Sequence, residues 1–293
     1  MKHIEDEILE LKPIGGIECY MATPLSEVLA NIESSLTRKL TEIEHLPEFG
    51  KSKGNEPFAI AGGGPSIKYT IDTLKNFKVI IACGSSHDWL VEHGIRPTYT
   101  LILDPDIIAA NYLQRPSPTC NYLVASCCHP RVFDVLKDYP VTIFHSTGPD
   151  PAWYIEQWDK HGLKEVKKPI IGGGCTCGLR AITIGMLLGY RKLHFFGLDS
   201  NLDINTYDHH AYEFVEPEKE ELGDVVEMRL GGPNGRYFKV AKYMMAQLWG
   251  FKELIMRYGD KFDVTVHGDS IIYEFMRMRR ALIEDKKRKE NVS

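Results

Sequence analysis

The chain has 293 residues, with 35 Lys+Arg against 40 Asp+Glu and a formal net charge of −5. Its 43% hydrophobic content, with 12 Phe, 14 Tyr and 4 Trp, supplies a full core and excludes a disordered or collagen-like polymer. The mild negative charge argues against a dominant nucleic-acid groove, although net charge can hide a local patch, and no window nears the roughly 18 apolar residues of a membrane span.

The N-terminus, Met1-Lys2-His3-Ile4-Glu5-Asp6-Glu7, carries acid where a signal peptide needs an apolar run, so a cytoplasmic location is expected. Leu25, Val28, Leu29, Ile32, Leu36, Leu40 and Ile43 recur at helical spacing and predict an amphipathic helix over 24–45. Residues 46–57 carry Pro, Gly and Lys and read as a linker. Residues 1–56 are thus expected to form a helical N-terminal extension, with one domain over 57–293.

From Phe58 onward, short apolar runs bounded by Gly, Pro and Asp alternate with helix-length segments. The runs are Phe58–Ala61, Val79–Cys83, Tyr99–Leu103, Tyr122–Ser126, Val141–Phe144, Pro169–Ile171, Leu193–Phe196 and Val264–His267. Helices are predicted near 66–76, 86–93, 130–137, 152–160, 177–189, 236–258 and 270–286. Continuous apolar runs indicate strands covered on both faces, and strand–helix alternation indicates right-handed βαβ units. The fold class expected is α/β: a doubly wound, mostly parallel, Rossmann-like sheet with helices on both faces. Ligands bind such sheets beyond the carboxyl ends of the strands, so the segments after each run are where function is sought.

Phe58–Ala61 runs into Gly62-Gly63-Gly64-Pro65-Ser66. Glycines let the backbone approach a ligand, Pro65 suits a first helical position, and the helix N-terminus favours an anion. The turn is neither GxGxxG nor a Walker A loop, yet three glycines exceed what a bare turn needs. Phosphate or nucleotide binding is therefore expected, with Gly84 and Ser85 after the second run in the same role.

Asp104-Pro105-Asp106 closes the third run; two carboxylates one residue apart suit a divalent ion such as Mg²⁺ or Mn²⁺ bridging to phosphates. Helix capping by Asp106 is an equal alternative, and Asp104 also suits ribose or sugar hydroxyls. Gly172-Gly173-Gly174-Cys175-Thr176-Cys177-Gly178 opens a long helix and offers a second set of backbone donors from Gly173, Gly174, Cys175 and Thr176; close helix–strand packing and an N-cap at Thr176 are the alternatives. After the seventh run comes Gly197-Leu198-Asp199-Ser200-Asn201, followed by Asp203, Asp208, His209, His210 and Tyr212 in one polar loop. A histidine there can deprotonate a hydroxyl and a carboxylate can orient it, making His210, His209 and Asp199 the catalytic candidates. His87 and His129 also follow strands and are weaker candidates. The seven cysteines (Cys19, Cys83, Cys120, Cys127, Cys128, Cys175, Cys177) form no CxxC pair, so reduced thiols are expected.

The motif order resembles the MptE-like family, which includes motility accessory factors and archaeal 6-hydroxymethylpterin diphosphokinases. The residues that carry it are Gly63-Gly64-Pro65-Ser66, Val79–Cys83, Leu90-x-x-x-Gly94-Ile95-x-Pro97, Leu103-Asp104-Pro105, Gly172-Gly173-Gly174, Leu188-Gly189-Tyr190, Phe196-Gly197-Leu198-Asp199 and His210-Ala211, over roughly 57–270. That family is similar in fold to bacterial CMP-sialic-acid sialyltransferases. The resemblance implies a nucleotide held at Gly63, Gly64, Pro65 and Ser66, a pocket lined by Asp104 and Asp199, and a general base at His210. Gly63 stands where those sialyltransferases prefer Asn, and Asp199 is followed by Ser-Asn rather than an aromatic pair. The function expected is a nucleotide-dependent glycosyltransferase that uses a CMP- or UDP-type sugar donor and a hydroxyl acceptor. A Mg²⁺-dependent diphosphokinase and a non-catalytic nucleotide-binding module are the alternatives. A homo-oligomer is compatible with any of the three.

Overall fold

The computed structural model describes residues 23–146, 156, 159, 170–212, 225–231 and 235–291. Its strands are β1 (Thr41–Glu42), β2 (Pro57–Ala61), β3 (Ile80–Cys83), β4 (Tyr99–Ile102), β5 (Asn121–Ala125), β6 (Val141–Ser146), β7 (Ile170–Ile171), β8 (Lys192–Phe196), β9 (Val225–Leu230), β10 (Arg236–Ala241) and β11 (Asp263–His267). Its α-helices are α1 (Leu25–Leu36), α2 (Ile67–Leu74), α3 (Ser86–Glu92), α4 (Pro130–Val135), α5 (Cys177–Leu187), α6 (Lys242–Tyr258) and α7 (Ile271–Glu290).

The central sheet runs β1-β6-β5-β4-β3-β2-β8-β11, with β7 beside the carboxyl end of β6, and every pairing in it is parallel. β2 shows why its apolar run is continuous. Phe58 and Ile60 point into one core, where Phe58 stacks on Tyr190 and lies under Gly185 of α5. Ala59 and Ala61 point into the other, beneath Ile67 and Leu74 of α2 and Trp89 and Leu90 of α3. Burying a large side chain such as Phe58 contributes about 1.5–3 kcal/mol over leaving it exposed.

From β2 the chain steps outward through β3, β4, β5 and β6, then returns to the far side of β2 for β8 and β11. The order therefore reverses between β2 and β8, the place where an open α/β sheet forms a crevice at its carboxyl edge. Register brings three turns to that edge at one level. Ala61 pairs with Phe196, Phe196 pairs with His267, and the next residues are Gly62, Gly197 and Gly268. Gly197 and Gly268 have φ of 62° and 92°, a left-handed backbone that favours glycine.

The sequence reading differs from this structure in two elements. The helix expected over 24–45 ends at Leu36; residues 41–42 instead pair with β6, and Ile43–His45 form a short 3₁₀ turn. Val28, Leu29, Ile32 and Ile43 are nevertheless buried in the same core as the sheet. The helix expected over 236–258 begins only at Lys242, because 236–241 form the second strand of an antiparallel β9–β10 hairpin. The helix expected over 152–160 lies outside the described residues apart from Glu156 and Asp159, which are helical. Cys19 also lies outside them, and the other six cysteines are free thiols. No helix among the described residues is long and apolar enough to cross a membrane.

On β8 and β11, His194 Nδ1 and His267 Nε2 lie 3.0 Å apart, and His267 stacks flat on Phe196 at 4.2 Å. Burial lowers the pKa of His194 and takes that of His267 down to about 4 from an ordinary 6.5. The unfolded chain then binds these protons first, so stability falls as pH drops from 6.5 towards 4. His267→Phe keeps the stack but cannot titrate. Its melting temperature is expected to fall less steeply than wild type over that window; equal slopes in the two proteins would contradict a neutral pair.

Candidate functional site

The turn after β2 is built against the turn after β8. Gly62 N–H donates to Phe196 O (2.8 Å) and Gly64 N–H to Gly197 O (2.8 Å). Ser66 N–H donates to Asp199 Oδ2 (2.7 Å), and Ser66 Oγ–H donates to Asp199 Oδ1 (2.5 Å). No side chain fits at Gly64, whose Cβ would stand 2.6 Å from Asp199 Oδ2 and 2.7 Å from Gly197 O. The triple glycine is thus explained first by contact between two turns.

That packing changes the expected anion site. The sequence reading puts a phosphate on the amides of residues 62–66, but Gly62, Gly64 and Ser66 already give their N–H groups away. Pro65 has none, which leaves Gly63 as the remaining amide of the turn. The start of α2 is taken by the chain's own carboxylate. Asp199 is only 4% exposed, and burial pushes its carboxyl up to about 6 against the downward pull of its two Ser66 hydrogen bonds. Asp203 and Asp269 add to the rise through like charge.

The catalytic candidates come back over the same turn. Ala211 N–H donates to Gly63 O (2.9 Å), and His210 Nδ1 lies 3.3 Å from that carbonyl, 147 residues away in sequence. A carbonyl only accepts, so this contact places a proton on Nδ1. His210 stacks on Tyr212 at 5.6 Å and packs against His209 at 4.1 Å. Tyr212 Oη–H donates to Ser85 Oγ (2.5 Å), which ties the segment to the turn after β3. Tyr212 is the bridging residue the sequence reading left without a role.

The remaining glycine turn and the acidic pair stand at the same sheet edge. Cys177 Sγ lies 3.7 Å from the Cβ position of Gly84 and accepts from the backbone at Leu103, beside Asp104. Gly178 abuts Leu198. Gly173 and Gly174 have φ of 132° and 94° and press on Thr183 and Leu179, and Thr176 Oγ1 accepts from Leu179 N–H as the N-cap of α5. Packing and capping therefore account for this second turn, while Cys175 stays exposed at its rim. Asp106 caps the 3₁₀ turn Ile107–Tyr112 through Ile108 N–H (2.9 Å), and Asp104 accepts from Asp106 N–H (2.9 Å). Asp106 thus serves as a cap, as one of its two readings has it. Among the described residues no three His, Cys, Asp or Glu side chains gather as an ion would need.

The weaker histidine candidates stand in structural roles. His87 is buried between Asp88 and Tyr122, and His129 caps α4.

A family model described as 6-hydroxymethylpterin diphosphokinase MptE-like matches residues 26–204. The chain belongs to the MptE-like family. The match takes in the glycine turns, Asp104 and Asp199; His209 and His210 lie just beyond it. Among solved structures, this MptE-like chain is similar to the MAf glycosyltransferase from Magnetospirillum magneticum AMB-1, with 18% identity and a TM-score of 0.61 over 89% of the chain. At that identity the likeness is one of fold, and the match spans 42% of that longer protein. No curated protein matches the chain.

Asp199→Ala strands two buried donors of Ser66 and is expected to lower unfolding free energy at pH 7 by about 1–3 kcal/mol. Urea denaturation reads this directly; a variant as stable as wild type would show that the clamp does not hold the two turns.

Proposed function

We propose that this chain is a nucleotide-dependent transferase working at the carboxyl edge of the sheet, over the joined turns after β2 and β8. It moves a sugar from a nucleotide-activated donor to an acceptor hydroxyl, with His210 as general base. The observation that carries this reading is the placement of His210 on Gly63 at the reversal point of the sheet. Family membership and fold support a transferase-type activity.

The residues divide the work as follows. Gly63 gives close backbone approach and the remaining amide of its turn for the donor's phosphate. The N-terminal end of α5 supplies a fixed dipole for the growing negative charge on the leaving nucleotide, where such dipoles act most strongly. His210, its Nδ1–H on Gly63 O, takes the acceptor proton at Nε2. With one base and no nucleophile assigned among the described residues, the transfer is a single inverting displacement.

The family description supports a second reading, transfer of diphosphate from ATP to a hydroxymethyl group. Its Mg²⁺ would rest on Asp104 and the phosphates, since Asp106 is engaged in capping.

A thermal-shift panel of CMP, CDP, UDP, GDP and ATP, with and without Mg²⁺ or Mn²⁺, separates these, because a ligand of the folded state raises the melting temperature. Metal-free stabilisation by a cytidine or uridine nucleotide is the expected result; stabilisation only by ATP with metal selects the second reading. His210→Ala is expected to bind the stabilising nucleotide normally and lose about 10²–10⁴-fold in turnover. Turnover equal to wild type removes His210 as the base.

Gly63→Ala puts a Cβ 2.5 Å from Tyr212 Oη and 3.2 Å from His210 Nδ1, both ends of side chains. That variant is expected to fold and to lose turnover by displacing His210. Full activity would show that the segment's position over Gly63 is immaterial.

A further inference from the structure

Ser200 has two unusual features at once. Its φ is 57°, a left-handed backbone on a residue with a Cβ, and its side-chain oxygen is buried with no hydrogen-bond partner. The residue is 5% exposed. Left-handed backbone and an unsatisfied buried hydroxyl each cost stability, and both tend to persist where a ligand uses them. Its neighbours hold it in place: Asp199 is fixed on Ser66, and Asn201 Oδ1 accepts from Ile271 N–H at 2.6 Å.

The charge around Ser200 limits what it can meet. Arg236 is forked onto Asp269 at 2.8 Å through both terminal nitrogens, and Lys68 is paired with Asp208 at 3.2 Å. Both of these cations are engaged with acids of their own, and the carboxylate of Asp199 adjoins Ser200 directly in the chain. A phosphate is disfavoured beside that carboxylate. A ring bearing adjacent hydroxyls suits it, because each Asp199 oxygen keeps a further lone pair and a serine hydroxyl both donates and accepts.

We propose that Ser200, with Asp199, is the hydroxyl-recognition corner of the crevice and binds the vicinal diol of a ribose or of a transferred sugar. The inference rests on the transferase reading and adds to it a specificity residue and a polarity. The polyol end of the donor lies at the β8 side, and its phosphate lies towards Gly63 and the α5 turn.

The test uses isothermal titration of wild type, Ser200→Ala and Ser200→Gly. The probes are the nucleotide that stabilises wild type best among CMP, CDP, UDP, GDP and ATP, its 2′-deoxy counterpart, and the matching sugar nucleotide. Both variants are expected to melt no lower than wild type, since each removes an unsatisfied hydroxyl, and glycine also relieves the backbone. A merely structural serine would lower the melting temperature and leave binding alone. Affinity is expected to fall about three- to tenfold for one probe class. Loss on the ribonucleotide down to the level of its 2′-deoxy form assigns the ribose; loss confined to the sugar nucleotide assigns the sugar. Unchanged affinity for all three probes, whatever the melting temperature does, overturns the proposal while the transferase reading stands. If no nucleotide binds wild type, the transferase reading falls and takes this inference with it.

Discussion

Two hydrogen bonds from Ser66 to Asp199, at 2.5 and 2.7 Å, join residues 133 apart in sequence across the point where the sheet reverses direction. The rest of the site depends on them. They fix the start of α2 against the end of β8, so Gly64 and Gly197 must be glycines at their mutual contact. With the two turns locked, Gly63 O is presented to Ala211 and His210, and the segment that carries the imidazole is seated. A neutral partner of Ser66 would make the same contacts more weakly, because hydrogen bonds to an ionised acceptor are about twice as strong.

This arrangement has an electrostatic consequence. A helix start at the carboxyl edge of a parallel sheet ordinarily attracts an outside anion. Here the chain supplies its own, so α2 is satisfied before any ligand arrives and Asp199 brings negative charge to the crevice. Burial holds this carboxyl near 6, which places its titration close to neutrality. On the proposed transferase reading this divides the edge: phosphate would go to the Gly63 side, and the carboxylate on the β8 side would favour uncharged hydroxyls.

Much of this was legible in the sequence, for identifiable reasons. Strands covered on both faces read as unbroken apolar runs, so β2, β3, β4, β5, β6 and β8 were plain. β1 was not, because Leu40 and Ile43 continue the spacing of α1 although the helix stops at Leu36 and only two residues pair with β6. The β9–β10 hairpin did leave a signal. Met228 and Leu230 alternate with exposed residues, Phe238 and Val240 are flanked by exposed Tyr237 and half-buried Lys239, and Asn234-Gly235 is a strong hairpin dipeptide. A helix-period reading of the residues after Gly235 hid it. In the site, glycine turns were legible because backbone geometry demands glycine. The partner that makes Gly64 obligatory, Asp199, is a tertiary contact that no local pattern encodes. Ser200 is hidden for the same reason: neither its left-handed backbone nor its lone hydroxyl has a sequence signature.

The central claim is that the crevice framed by Gly63, Ser85, Asp199 and His210 receives the nucleotide. The most direct measurement is a crystal structure of the protein with the nucleotide that stabilises it best. The account predicts a phosphorus atom within hydrogen-bonding reach of the Gly63 amide, about 4 Å, and a sugar ring turned towards Asp199 and Ser200. A nucleotide seated elsewhere, for example in the cavity of about 390 Å³ lined by Leu113, Arg131 and Tyr139, would contradict it.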